Sequence, residues 1–123
     1  MHIEQLTTQV SVSDQISVAD VATLAAQGIE ILVCNRPDGE SEDQTPYKDI
    51  ALEAKKHGMD FRLMAFSSYK ITEEHRDLFI DLVAECKRTH AYCRTGSRSK
   101  RLWREANWLA GGEEQYNEAH ECT

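Results

Sequence analysis

Apolar and polar positions alternate over residues 9–16, Gln-Val-Ser-Val-Ser-Asp-Gln-Ile, which is the period of two expected of an edge strand. From Ser17 the period lengthens. Val18, Val21, Leu24 and Ala25 fall on one helical face, Ser17 with Asp20 three positions on reads as an N-terminal cap, and Gly28 ends the helix. Ile29-Glu30-Ile31-Leu32-Val33-Cys34 predicts a buried strand, broken by the turn signal Asn35-Arg36-Pro37-Asp38-Gly39. Residues 40–44 read as an acidic, mobile loop, after which Thr45-Pro46 opens a second helix that runs to Lys56 and closes at Gly58. Residues 61–66 predict another strand and residues 67–71 a loop. Thr72 then caps a third helix whose core face is Leu78, Phe79, Leu82, Val83 and Cys86. Residues 89–92 form the last strand, and residues 97–109 a helix that buries Leu102, Trp103 and Ala106 before Gly111-Gly112 stops it.

Strands that alternate with helices imply an α/β fold with right-handed crossovers and a central, mainly parallel sheet of four to five strands covered by helices on both faces. A chain of 123 residues predicts one domain over 1–123, with its core at about 8–110 and a tail over 111–123. Ligands in such folds collect beyond the carboxyl ends of the strands. That rule places Asn35-Arg36-Pro37-Asp38, the 67–71 loop and the stretch after Tyr92 on one rim. Arg36 is there a candidate anion contact and Asp38 a candidate acid or base. Asn35 and Asp38 also suit the turn alone.

Charge narrows the choice of ligand. A net charge of -7 argues against nonspecific nucleic-acid binding and against an anionic membrane surface. Five of the fourteen basic residues, Arg94, Arg98, Lys100, Arg101 and Arg104, nevertheless fall within eleven positions, a focus suited to a small anion. The first fifteen residues lack a basic region followed by an apolar run, and no stretch is long and apolar enough for a membrane span, so a cytoplasmic location is expected. Cys34, Cys86, Cys93 and Cys122 lack metal-ligand spacing and need no bridging in a reducing compartment. His57, His75, His90 and His120 are scattered and read as surface or structural side chains. No metal or other cofactor is called for.

The densest chemistry lies in His90-Ala91-Tyr92-Cys93-Arg94-Thr95-Gly96-Ser97-Arg98-Ser99. A cysteine ends a short apolar strand, a glycine-containing turn follows, and a helix begins near Ser97. Backbone N–H groups of such a turn converge on one point, the helix dipole adds positive potential, and guanidinium groups supply a fork for an oxyanion. The same field makes Cys93 a nucleophile. Four residues separate Cys93 from Arg98, where phosphatases of the protein-tyrosine-phosphatase superfamily have five. The shorter ring resembles the active loop of rhodaneses, which transfer sulfane sulfur.

Asn35-Arg36-Pro37-Asp38-Gly39-Glu40 with Asp43-Gln44, Ile71-Thr72, and Ala91 through Ser99 together resemble the bacterial beta-lactamase-hydrolase-like, phosphatase-like domain family. The resemblance implies a three-layer, dual-specificity-phosphatase-like fold. It also implies that Cys93 is the nucleophile, that Arg98 with the loop residues Arg94, Thr95, Gly96, Ser97 and Ser99 binds the anion, and that Asn35 and Arg36 lie on the adjacent rim. Phosphatases of this superfamily carry an aspartate acid in a loop about thirty residues before the cysteine, whereas here that loop reads Phe66-Ser67-Ser68-Tyr69-Lys70. The expected function is therefore sulfur transfer from thiosulfate or a persulfide to a thiol acceptor through a Cys93 persulfide. Two alternatives stay open: a phosphatase forming a Cys93 phosphocysteine with Asp38 as acid, and a non-catalytic oxyanion or persulfide sensor.

Overall fold

In a computed structural model, residues 1–66 and 71–109 are described. Nine elements follow in chain order: β1 (Ile3–Gln5), β2 (Val10–Ser13), α1 (Val18–Ala26), β3 (Ile31–Cys34), α2 (Tyr47–Lys56), β4 (Asp60–Leu63), α3 (Glu73–Val83), β5 (Thr89–Tyr92) and α4 (Ser97–Leu109). They build one five-stranded sheet in the order β1-β2-β5-β3-β4. Every neighbouring pair is parallel except the antiparallel β1–β2 pair. Alternate side chains divide two cores. Val10, Val12, Ile31, Val33 and Ala91 meet Phe79, Leu82 and Val83 of α3 and Leu102 and Ala106 of α4. Leu32, Cys34 and Tyr92 meet Val21 and Leu24 of α1 and Ile50 and Ala54 of α2 on the other face. This is the three-layer α/β arrangement that the sequence predicts.

Local chemistry fixes the ends of the elements. Ser17 Oγ accepts from the Asp20 amide and Asp20 returns a bond to the Ser17 amide, a reciprocal cap for α1. Thr72 caps α3 in the same way, with His75 as the returning side chain. Gly28 and Gly58 leave α1 and α2 at positive φ, as expected of helix ends.

Several expectations are corrected. The strand within residues 9–16 is not an edge: β1 covers it, and Val10, Ser11, Val12 and Ser13 are all buried. The alternation is real, but its polar positions face a buried partner. His90 on β5 lies between Ser11 Oγ, 2.7 Å from Nδ1, and Ser13 Oγ, 2.8 Å from Nε2. Because Ser13 Oγ donates its proton to the Asp14 carbonyl, the imidazole donates from Nε2 and accepts at Nδ1. Residues 40–44 are tied down rather than mobile, since the Glu40 amide donates to Gln44 Oε1 and Gln44 Nε2 to the Pro37 carbonyl. Leu78 and Cys86 lie outside the α3 core face, with Leu78 exposed and Cys86 exposed at φ 60. Cys34 and Cys93 are free, whereas Cys86 is disulfide-bonded, so bridging is not absent. β4 is shorter than the 61–66 stretch, although Met64 and Phe66 beyond it remain buried. The 67–70 part of the expected loop and the 111–123 tail lie outside the described residues. No described helix is long and apolar enough to cross a membrane.

Candidate active site

The topology brings two loops together at the carboxyl ends of the adjacent strands β3 and β5. The chain leaving β3 turns to α2 on one face of the sheet while the chain leaving the adjacent β5 turns to α4 on the other, and strands that part in this way leave a ligand site between their loops. The loop after β5 supplies Cys93 to Ser97, and the loop after β3 supplies Asn35 to Glu40.

Cys93 is fully buried, its amide donates to the Ser13 carbonyl at 3.3 Å, and its Sγ accepts the Gly96 N–H at 3.0 Å. The sulfur therefore faces the turn. Gly96 takes φ 94, and a Cβ there would stand 3.4 Å from the Ser13 carbonyl carbon. The left-handed backbone calls for glycine, whereas a Cβ would meet β2 at ordinary contact distance. Ser97 N–H donates to Thr95 Oγ1 at 3.4 Å, and Thr95 Oγ1 donates to Ser97 Oγ at 3.0 Å, so these hydroxyls pair across the mouth of the turn. The side chain of Arg94 is exposed, and its carbonyl accepts from the Gln15 amide.

Arg98 is buried at the start of α4 and reaches the neighbouring loop. Nη1 donates to Glu40 Oε2 at 2.8 Å and to the Phe66 carbonyl at 2.9 Å, while Nη2 donates to Glu40 Oε1 at 2.6 Å. Arg36 joins the same carboxylate through Nε at 2.9 Å, and its Nη1 donates to Gln15 Oε1 at 2.9 Å. The Arg98 bonds, assisted by those from Arg36, hold the Glu40 carboxyl below the usual range even though burial opposes this. Arg36 and Arg98 thus meet, as two anion contacts on one rim would, but through a carboxylate.

The other expected site residues separate from this cluster. Asn35 and Ser99 pair with each other, Ser99 Oγ donating to Asn35 Oδ1 at 2.8 Å, and Asn35 Nδ2 donates to the Met64 carbonyl at 3.0 Å. Both are fully buried, and they tie β3, the end of β4 and α4 together beneath the rim. Asp38 Oδ1 accepts the Tyr47 amide at 2.9 Å, at the first turn of α2. Cys34 Sγ donates to the Arg36 carbonyl at 3.1 Å, and burial pushes its thiol pKa up, so it is a core thiol. Glu40 and Gln15 join this cluster, although neither stands out in the sequence. A spacing of four marks a pair on a helix, but Arg36 and Glu40 flank a turn, so their spacing gave no sign of the contact.

A cleft of about 220 Å³ adjoins the turn, lined in part by Ser13, Thr95, Gly96, Ser97 and Lys100. A groove of about 590 Å³ continues along Lys100, Arg101, Arg104 and Glu105 of α4. Cys93 lines neither, so the thiol lies under the turn rather than in an open pocket. No cluster of metal-ligating side chains occurs among the described residues.

The fold agrees with what comparison with known proteins finds. Residues 2–110 match the family described as beta-lactamase hydrolase-like protein, phosphatase-like domain. The chain belongs to this family. A beta-lactamase hydrolase-like protein of Agrobacterium fabrum is 29% identical over 104 residues, and the match covers 84% of this chain but 24% of that protein. This phosphatase-like domain therefore spans about a quarter of the relative's length. A candidate phosphatase from Neisseria meningitidis is similar in structure, with TM-score 0.76, 27% identity and coverage of 98% of this chain and 97% of that one. The catalytic core of the PP-IP phosphatase Siw14 of S. cerevisiae shares the fold alone, at TM-score 0.60 and 9% identity over 96% of this chain and 82% of that one.

Proposed function

We propose that Cys93 is the nucleophile of a covalent transfer reaction on a small anionic substrate, with Arg98 as the anion clamp, Arg36 and Arg94 as further cationic contacts, and the Thr95, Gly96 and Ser97 backbone as the cradle. Membership of a phosphatase-like family and likeness to proteins named as phosphatases support hydrolysis of a phosphate ester through a phosphocysteine. That reading needs an acid for the leaving oxygen, and Asp38 is its candidate.

The commitment of the carboxylates favours sulfur transfer. Asp38 accepts a helix amide, and Glu40 is held ionised by two guanidiniums. An ionised carboxylate between two arginines is a poor proton donor. General acid catalysis contributes typically ~10²–10⁴-fold, a loss that matters for an alkoxide leaving group but little for sulfite or a thiolate, which departs as a stable anion. On this reading the Cys93 thiolate attacks the outer sulfur of thiosulfate or of a persulfide. The S–S bond of the donor breaks, sulfite or a thiolate leaves with the electron pair, and Cys93 becomes a persulfide. An acceptor thiolate then attacks the outer sulfur and releases the Cys93 thiolate.

The two readings separate in one preparation assayed for both activities. Sulfur transfer predicts multiple turnovers of thiocyanate from thiosulfate and cyanide, or of persulfide on a thiol acceptor, abolished in Cys93→Ser, with phosphate release from an aryl phosphate at least 100-fold slower. The reverse ranking would make the domain a phosphatase, and tight anion binding without turnover of either kind would make it a sensor.

A further inference from the structure

Arg98 presents both terminal nitrogens to Glu40, at 2.8 and 2.6 Å, and Arg36 Nε reaches the same carboxylate at 2.9 Å. A two-point fork is the geometry with which arginine receives a carboxylate or a tetrahedral oxyanion. Glu40 therefore takes the place on Arg98 that a bound anion would compete for. It also leaves the three side chains with one net positive charge instead of two. The arrangement spans distant parts of the chain, since Glu40 lies 58 residues before Arg98, and it is reinforced by Ser41 Oγ, which accepts from Arg36 Nη2 at 3.2 Å.

We infer that Glu40 is a specificity-determining residue: the Arg36–Glu40–Arg98 cluster selects singly charged sulfur donors, such as the anion of a low-molecular-weight persulfide, over dianions such as thiosulfate or a phosphate monoester. This deepens the proposed function and rests on its assignment of Arg98 as the anion clamp. The physical cause is the scaling of Coulomb repulsion with ligand charge. Coulomb repulsion that weakens a monoanion about threefold, the size expected at a separation of about 6 Å with water-like screening, weakens a dianion by about the square of that factor, and weaker screening enlarges both effects.

Sulfate and methyl sulfate test this, because they share a tetrahedral shape and differ in charge. Their dissociation constants are measured by calorimetry at fixed ionic strength on the full chain carrying Cys93→Ser, with and without Glu40→Gln. Glu40→Gln is expected to tighten sulfate about tenfold and methyl sulfate about threefold. An equal change for both anions, no change, or weaker binding of both would overturn the inference; the last result would make Glu40 a support that positions the arginines. If thermal unfolding shows that Glu40→Gln has lost its fold, Arg36→Gln serves instead. It removes the second guanidinium that holds Glu40, and combined with Glu40→Ala it is expected to weaken sulfate and methyl sulfate less than it does alone; equal weakening in the two backgrounds overturns the inference. Because binding is read without Cys93 chemistry, a failure of sulfur transfer leaves this result standing, and a failure here leaves the nucleophile's role to its own assay.

Discussion

At the scale of single residues, the site depends on a turn that only one side chain type allows. Gly96 takes φ 94, a backbone conformation that L side chains rarely adopt. Gly96→Ala is expected to cost at least about 1–2 kcal/mol from the left-handed backbone alone. Thermal unfolding would show this as a midpoint lowered by several degrees, with the proposed Cys93-dependent transfer falling as the Gly96 amide shifts away from Cys93 Sγ. An unchanged midpoint would show that the turn relaxes without cost. The Cys93 stretch was legible in the sequence because its chemistry is local: strand end, glycine, hydroxyls and arginine lie within ten positions. Glu40 was not, because nothing near it in the chain announces Arg98. A run of acidic residues after a proline turn has the composition of a solvated loop, and only the approach of α4 turns one of those carboxylates inward.

Among the elements, α2 depends on a distant cap. Its N-terminal residue is Pro46, which supplies no capping side chain, and Asp38 accepts the Tyr47 amide instead. Removing such an acceptor costs typically about 1 kcal/mol, so Asp38→Ala is expected to lower stability by that amount in urea denaturation. The proposed sulfur transfer should stay within about threefold of the parent. A drop of about 100-fold or more in either activity, with the fold intact, would return Asp38 to the role of general acid. The helices and parallel strands were legible because capping residues and buried runs carry their own signals. The short β1 was not, since three residues give too little pattern, and its absence from the reading made β2 look like an edge. The buried His90, bonded to both serines of β2, explains why a strand with polar alternate positions sits inside the sheet.

For the whole molecule, the same histidine couples folding to pH. Burial lowers the His90 pKa from 6.5 to about 4, so between those values the unfolded chain binds a proton that the folded chain excludes. Stability is then fully present above about pH 6.5 and falls as pH drops toward 4, by on the order of 3 kcal/mol from this group. The depressed carboxyl of Glu40 contributes in the same direction, but only below its ordinary value of 4.5, so the slope between pH 6.5 and 5 reports chiefly on His90. Urea midpoints should fall across that interval, and His90→Gln, although less stable at pH 7, should flatten the slope. An unchanged slope would mean that the imidazole is protonated in the fold. Such acid sensitivity bears on the site, because Ser13 supplies both a hydroxyl to His90 and a carbonyl to the Cys93 amide.

The central claim, that Cys93 takes up a transferred group while Arg98 holds the anion, is met most directly by intact-mass spectrometry of the full chain after incubation with thiosulfate or a low-molecular-weight persulfide. The expected product carries one additional sulfur on Cys93, is lost on treatment with cyanide, is absent from Cys93→Ser and forms far more slowly in Arg98→Ala. An unmodified Cys93 with every donor, or an adduct that persists in Cys93→Ser, would contradict it.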